Sequence, residues 1–225
     1  MNLRMQEQLT LILADRAGLD WAQTQVTRYH YLHRPVDVRC RPLAYLVLFE
    51  SEPMGCLIFG RPEATRVLGW YGSVQDVQAG RGRLTRWEVL NLARVWLHPD
   101  LQVGGRCYLP NAASWAIGQA IRHVGYDFLL HRPPVWLEEP YELREVLSYC
   151  DTRVHQGTLY RAAGFHLLRT NRRGIATYAR PLRPLTPAQR AEIARRSQED
   201  VRARRLRAAR TVVQASLFAE SEAAQ

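Results

Sequence analysis

Two spacings of apolar residues lay out the elements of this chain. Pro42 to Glu50 (PLAYLVLFE) and Met54 to Gly60 (MGCLIFG) are dense in aliphatic, β-branched and aromatic residues. Glu52-Pro53 interrupts the run, so the pair predicts a β-hairpin. Val89 to Leu97 (VLNLARVWL) predicts a strand stopped by His98-Pro99-Asp100. Further strands are expected at Tyr126 to Leu130, at Glu145 to Tyr149 ending in Cys150-Asp151, and at His166 to Arg169 and Ile175 to Arg180. Helical spacing marks the first twenty residues, with Leu3, Leu9, Ile12 and Leu13 apolar among polar neighbours. Asn111 to Arg122 predicts a helix with Asn111 as cap, and Thr158 to Ala163 a short one closed by Gly164-Phe165. A loop from Arg61 to Arg86 and a Pro- and Glu-rich insertion from His131 to Arg144 separate these elements. The order predicts an α/β domain, a mixed sheet covered by helices.

After Pro181 the pattern changes. Thr186-Pro187-Ala188-Gln189 carries a threonine cap, a proline at the first helical position and a glutamine at the third. From Arg183 to Arg210 nine arginines stand against Glu192, Glu199 and Asp200, with few large apolar residues. Such a segment cannot bury much by itself. Residues 1–180 are therefore expected to form the compact domain, and residues 181–225 an arginine-rich helical arm.

Length and composition set the bounds. A chain of 225 residues with 47% hydrophobic content suits one well-filled core plus an appendage. No stretch reaches eighteen uncharged apolar residues, and the start lacks the basic-then-apolar layout of a secretory signal, so no membrane partner and a cytoplasmic location are expected. Cys40, Cys56, Cys107 and Cys150 are far apart and form no C-x-x-C pair, which in a reducing compartment predicts free thiols. The net charge of +10, all of its cations arginine, favours a polyanionic partner, because arginine pairs bidentately with phosphate.

Two clusters carry chemistry. The first runs from Arg94 through the Gly104-Gly105-Arg106 loop to Asn111 and Ser114, where a helix start after a glycine-bearing loop offers unpaired N–H groups to an anion. A Gly-Gly loop before a helix is equally an ordinary turn. The second runs from Ser148-Tyr149-Cys150-Asp151 to Tyr160: a strand ending in Ser and Asp places polar groups at the carboxyl edge of a sheet, where α/β proteins bind ligands. Asp151 can accept a proton or hold an amine, and Tyr160 can donate a proton to a leaving group; capping by Asp151 and packing by Tyr160 are the plain alternatives.

Tyr160-Arg161-Ala162-Ala163-Gly164-Phe165 and the strand after it resemble the closing helix of GCN5-related acyltransferases. More narrowly, the chain is similar to the Mom family of phage DNA-modification proteins, which convert the exocyclic amine of adenine to a carbamoylmethyl form. The matching pieces are His30-Tyr31-Leu32-His33-Arg34, Gly55 to Pro62, Arg94, the Pro110-Asn111-Ala112-Ala113-Ser114-Trp115 helix start, Ser148 to Asp151, and Gly157-Thr158-Leu159-Tyr160. They span most of residues 28–180 in shared order. The resemblance implies a GNAT-like mixed, mostly antiparallel sheet flanked by helices. It implies Asp151, Ser114, Arg94 and Tyr160 as catalytic residues, and Tyr31 beside the substrate. Gly104, Gly105 and Arg106 would bind the donor, acetyl-coenzyme A or a glycine-derived group. The acyltransferase pyrophosphate loop is matched only out of register, by Gln102-Val103-Gly104-Gly105-Arg106-Cys107, and leaves that donor open.

Modifying a paired adenine requires the base to leave the stack and meet an aromatic platform, for which Trp70, Tyr71 and Trp115 are candidates, with Ser148 and Asn111 as polar contacts. His30 and His33 lie three apart and are the pair a bound iron would use; without a second ligand cluster, no metal is expected. Arg195, Arg196, Arg204 and Arg205 are expected on the DNA backbone. Gln214-Ala215-Ser216-Leu217-Phe218 resembles the Gln-x-x-Leu-Phe peptide that docks bacterial proteins on the DNA polymerase sliding clamp, through Gln214, Leu217 and Phe218. The expected function is a DNA-modifying transferase acting on the N6 amine of adenine. The alternatives are an amine N-acetyltransferase acting on a small molecule or protein, and a non-enzymatic DNA-binding or clamp-associated factor.

Overall fold

A computed structural model describes residues 8–67, 69–131 and 142–203. The chain divides into two units, residues 1–125 with 142–184, and residues 126–141 with 185–225.

The first unit is built on a seven-stranded sheet in the order β1-β2-β3-β6-β7-β9-β8. Its strands are β1 (Leu9–Leu13), β2 (Leu43–Phe49), β3 (Glu52–Gly60), β6 (Val89–Leu97), β7 (Glu145–Asp151), β8 (His166–Thr170) and β9 (Ile175–Pro181). Every neighbouring pair is antiparallel except β6 with β7. β4 (Tyr71–Gly72) and β5 (Leu84–Thr85) form a separate two-stranded parallel pair. The helices of this unit are α1 (Arg16–Tyr29), α2 (Val74–Gln78), α3 (Ala112–Ile121) and α5 (Thr158–Ala162), while α4 (Val124–His131) starts at its boundary and lies mostly in the second unit. This is the mixed, mostly antiparallel sheet with flanking helices that the acyltransferase resemblance implies.

Local chemistry explains the elements. β2 and β3 are joined by Glu50 and Ser51, both at positive φ (49° and 73°), the backbone that lets a two-residue link follow the strand twist. Asp15 caps α1 by accepting from the Gly18 N–H at 2.8 Å. Ala22 and Val26 of α1 are fully buried against Ala44, Cys56, Ile58 and Trp96 on one face of the sheet. Each large aliphatic side chain buried this way contributes about 1.5–3 kcal/mol. Cys40, Cys56 and Cys150 are buried, Cys107 is half-buried, and all four are free thiols.

Two expectations change. The amino-terminal segment is not one helix: Leu9–Leu13 is an edge strand paired with β2, and the helix begins only after Asp15. Five apolar or β-branched residues (LTLIL) beside an unpaired sheet edge gain more from ladder bonds than from a helical turn. Tyr126 to Leu130 lies within α4 rather than in a strand, because a short apolar run reads the same in either state.

Two irregularities in β6 shape the ground on which a site can form. Ile58 faces Arg94 while Phe59 faces Leu92, so Ala93 is an extra residue, a β-bulge. The parallel pairing of β6 with β7 ends at Asn91↔Leu147, after three register pairs. Beyond that rung the two strands diverge. In the second unit, residues 187–203 are helical, and Thr186 and Gln189 exchange the expected capping bonds (Gln189 N to Thr186 Oγ1, 3.3 Å; Thr186 N to Gln189 Oε1, 3.0 Å).

Candidate active site

The gap between the diverging strands opens into a cleft of about 550 Å³. β6 supplies Asn91 and Arg94, β7 supplies Tyr149 and Asp151, the segment after α1 supplies His30 and Tyr31, and α5 with its approach supplies His155 and Tyr160. Arg94, Asp151, Tyr160 and Tyr31, four residues picked out by the sequence, therefore meet in one place.

Arg94 is 5% exposed. Its Nη1 donates to the Ala93 carbonyl at 2.7 Å and its Nε to the Arg34 carbonyl at 3.4 Å, while Nη2 is buried with no partner among the described residues. Burial first, then the neighbouring Arg34, pulls its pKa below the ordinary arginine value; arginine nonetheless stays charged at neutral pH. A buried cation lining a cleft with an unspent N–H is prepared for an oxygen of a ligand.

Asp151 also lines the cleft, but its carboxylate is occupied. Arg153 donates from Nε (2.9 Å), Nη2 (2.6 Å) and its backbone N–H (3.0 Å), and holds the group down to about 2. So clamped, it is a permanent anion and a weak proton acceptor. Tyr160 is opposite in character. Burial pushes its phenol up to about 12, beside the Ser148 hydroxyl, so it remains a proton donor at neutral pH. Its ring stacks on Tyr178 at 5.3 Å.

Ser148 is 1% exposed and donates to the Leu92 carbonyl at 2.9 Å, spanning the strands just where their backbone pairing has stopped. It supports the cleft from beneath. Gly157 opens α5 at φ 69°, and a Cβ there would collide with the Tyr178 hydroxyl, so only glycine lets this turn approach β9.

His30 lines the cleft and its ring lies 4.5 Å from that of Tyr31, which in turn meets His155 edge-on at 5.1 Å. Burial, followed by the charges of Arg94, His155 and His33, lowers the His30 pKa from 6.5 to about 4. Nδ1 of His30 accepts from the Leu32 N–H at 3.2 Å. Among the described residues no group of three or more His, Cys, Asp and Glu side chains is placed to hold a metal ion. The lowered value makes a stability prediction. Between pH 6.5 and 4 the unfolded chain binds a proton at His30 that the folded chain refuses, so stability falls as pH drops through this window. The loss begins below 6.5 and is complete below about 4, whereas the Asp151 contribution is lost only from 3.8 down to about 2. Thermal midpoints measured from pH 7 to 4 should decline, and His30→Gln should flatten that decline; an unchanged slope would refute the assignment.

Other sequence candidates stand elsewhere. Ser114 does not line the cleft: its hydroxyl donates to the Asn111 carbonyl at 3.0 Å within the first turn of α3. Asn111 is at the cap position, at φ 66°, but makes no side-chain cap bond. The Gly104-Gly105-Arg106 loop also lies outside the cleft lining. Gly105 and Cys107 donate to the Gln102 and Asp100 carbonyls, and Arg106 binds the Asp100 carboxylate at 2.5 Å, so those donors are spent on the turn itself. Trp70 and Tyr71 are packing residues. Trp70 donates to Glu145 at 2.6 Å under the Arg83 guanidinium, and Tyr71 is 1% exposed, with its hydroxyl 3.1 Å from that of Tyr149. Trp115 is half-buried and lines none of the cleft. Arg195 and Arg196 are exposed on the 187–203 helix, Arg195 paired with Glu199 at 2.6 Å. Arg204, Arg205, Gln214, Leu217 and Phe218 fall outside the described residues.

Sequence pattern alone passed over Asn91, while Tyr149 and His155 lay inside the second cluster without being given a role. A signal for Asn91 was available: it and Arg94 are the two polar positions in a nine-residue strand that is otherwise apolar.

The profile of the Mom protein family matches residues 14–215. No curated protein sequence matches significantly. Among solved structures, an N-acetyltransferase from Staphylococcus aureus Mu50 is similar at 10% identity and a TM-score of 0.47, over 78% of this chain and 99% of that one. The spermidine/spermine N-acetyltransferase of Vibrio cholerae is similar at 12% identity and a TM-score of 0.43, over 79% and 94%. An aminoglycoside acetyltransferase in complex with coenzyme A and kanamycin is similar at 14% identity and a TM-score of 0.44, over 77% and 94%. Among the described residues no helix is long and apolar enough to cross a membrane.

Proposed function

This chain belongs to the Mom protein family, and on that premise we propose that it is an N-acyltransferase that carries a small acyl or glycine-derived group to the N6 amine of adenine in DNA. The observation that carries the reading is the buried, unspent Nη2 of Arg94 in a cleft at the point where two parallel strands part. Acyl transfer to an amine needs a cation or N–H at the carbonyl oxygen, because that oxygen becomes an anion as the nitrogen adds. Arg94 supplies it, out of water, where the interaction is strongest.

The other cleft residues fit the remaining demands. Past Asn91 the edge of β6 that faces the cleft has no β7 partner in register, so an extended donor arm bearing amides can pair along it. That edge fits acetyl-coenzyme A or a glycine-derived donor alike. The amine nitrogen bonds to the carbonyl carbon while the bond to the leaving group breaks; the leaving group departs with a proton from Tyr160, the amine releases one of its own to solvent, and solvent returns a proton to Tyr160. Clamped by Arg153, Asp151 serves as a fixed anion near the amine, in place of the base expected from sequence. Tyr31 and Tyr149, which line the cleft, take over the aromatic role first given to Trp70 and Tyr71.

The net charge of +10 and the exposed Arg195 and Arg196 support a phosphate-bearing partner. In this reading residues 181–225 add backbone affinity, and Gln214, Leu217 and Phe218 tether the chain to a sliding clamp. The deciding experiment is nucleoside mass spectrometry of DNA from cells expressing the protein. A mass adduct on deoxyadenosine, absent from the empty-vector control, is expected. Unmodified deoxyadenosine at full expression would overturn the reading in favour of a small-molecule or protein amine.

A further inference from the structure

We propose that Asn91 is the residue that receives the acceptor amine, its side-chain carbonyl taking a hydrogen bond from the attacking NH₂ group while Arg94 holds the oxygen of the donor carbonyl.

Asn91 is 9% exposed, lines the cleft, and its Oδ1 has no hydrogen-bond partner among the described residues. A buried polar atom left unpaired costs stability, so an isolated one in a folded chain calls for an explanation. Arg94, which also lines the cleft, carries a second such atom, Nη2. One is an acceptor and the other a donor. The bulge is what joins them: in a regular strand residues three apart point to opposite faces, but the extra residue Ala93 returns Arg94 to the face that carries Asn91. Gly60, which faces Asn91, and Ile58, which faces Arg94, are themselves two apart on β3 and share that face.

The assignment rests on reading the cleft as an acyl-transfer site. An amine adding to a carbonyl needs complementary partners: a donor at the oxygen, which gains negative charge, and an acceptor at the nitrogen, whose N–H groups gain positive charge. The hydrogen bond to Asn91 Oδ1 is neutral before attack and charge-assisted after it, so it tightens along the reaction. An amide oxygen does not take the proton at neutral pH; the proton leaves to solvent once the N–C bond has formed. The same oxygen sets base choice. At the ring position that carries the N6 amine of adenine, cytosine also presents an amino group, whereas guanine and thymine present a keto oxygen there, and two acceptors face to face repel.

The test compares Asn91→Leu and Asn91→Asp with the parent, scored by nucleoside mass spectrometry of plasmid DNA from cells at matched expression, together with thermal midpoints of the purified proteins. The parent's adduct on deoxyadenosine is measured first; its absence overturns the function itself and is thereby separated from failure of this assignment. Leucine is of similar size and removes the unpaired oxygen, so its midpoint should equal or exceed the parent's, while the adduct falls at least tenfold. Aspartate keeps an acceptor and should retain more adduct than leucine. A leucine variant within twofold of the parent overturns the assignment. So does a loss that is accompanied by a lowered midpoint and is equal in both variants, which marks a structural residue.

Discussion

Arg94→Met is expected to reduce transfer by roughly two to three orders of magnitude, about 3–4 kcal/mol of transition-state stabilisation, while leaving the protein at least as stable to heat. The first half rests on the unpartnered Nη2 of a residue that lines the cleft. A single preorganised donor to a developing oxyanion has this range of effect when water is excluded, and Arg94 is 5% exposed. The second half rests on what Arg94 lacks: no carboxylate forms a salt bridge with it among the described residues, and its bonds go to the Ala93 and Arg34 carbonyls. A buried cation without a counterion is a cost to folding, and an unbranched apolar side chain removes that cost. Arg94→Lys should recover little, since an ammonium cannot reproduce the fork that holds two carbonyls and leaves a third N–H free. Adduct formation by nucleoside mass spectrometry, beside a thermal melt, checks both halves. A variant that is inactive because it no longer folds would contradict the expectation.

Tyr160→Phe carries the second large expectation, a fall of roughly 10²–10³ in turnover with little change in donor binding, the range general acids contribute. The ring keeps its stack on Tyr178 and its contact with Phe165, so packing survives the change. What is lost is a phenol held at about 12, which is protonated throughout the physiological range and ready to give its proton to a departing group. The defect should depend on that group: a donor whose leaving group has a low pKa needs no proton and should be transferred by Tyr160→Phe nearly as well as by the parent. Equal defects on good and poor leaving groups would remove Tyr160 from the chemistry and leave it a packing role.

The sequence made much of this legible, and its omissions have physical causes. β2, β3, β6, β7, β8 and β9 were readable because each is a run of β-formers bounded by turn residues. β1 and α4 were not, since five to eight apolar residues satisfy either period and only the partner decides. In the site, Arg94, Asp151, Tyr160 and Tyr31 were marked by resemblance and do converge. Trp70 and Tyr71 were chosen by residue type, which gives an aromatic ring no direction: Trp70 is half-buried and bonded to Glu145 under Arg83, Tyr71 is buried against Tyr149, and neither lines the cleft. For Asp151 the sequence offered two roles, accepting a proton or holding an amine; the arginine two residues on was visible, but its reach back onto both carboxylate oxygens, which favours the second, was not.

The inserted Ala93 also resets how the faces of β6 are counted. Strand faces are usually assigned by parity, odd positions one way and even positions the other. A single surplus residue shifts that phase, so an odd interval becomes a same-side interval. The interval of Asn91 and Arg94 is therefore a matter of counting as much as of side-chain identity. Any sequence set beside this one should be compared first by the number of residues between its strand asparagine and arginine, because a gain or loss of one turns the arginine out of the chamber with every side chain unchanged.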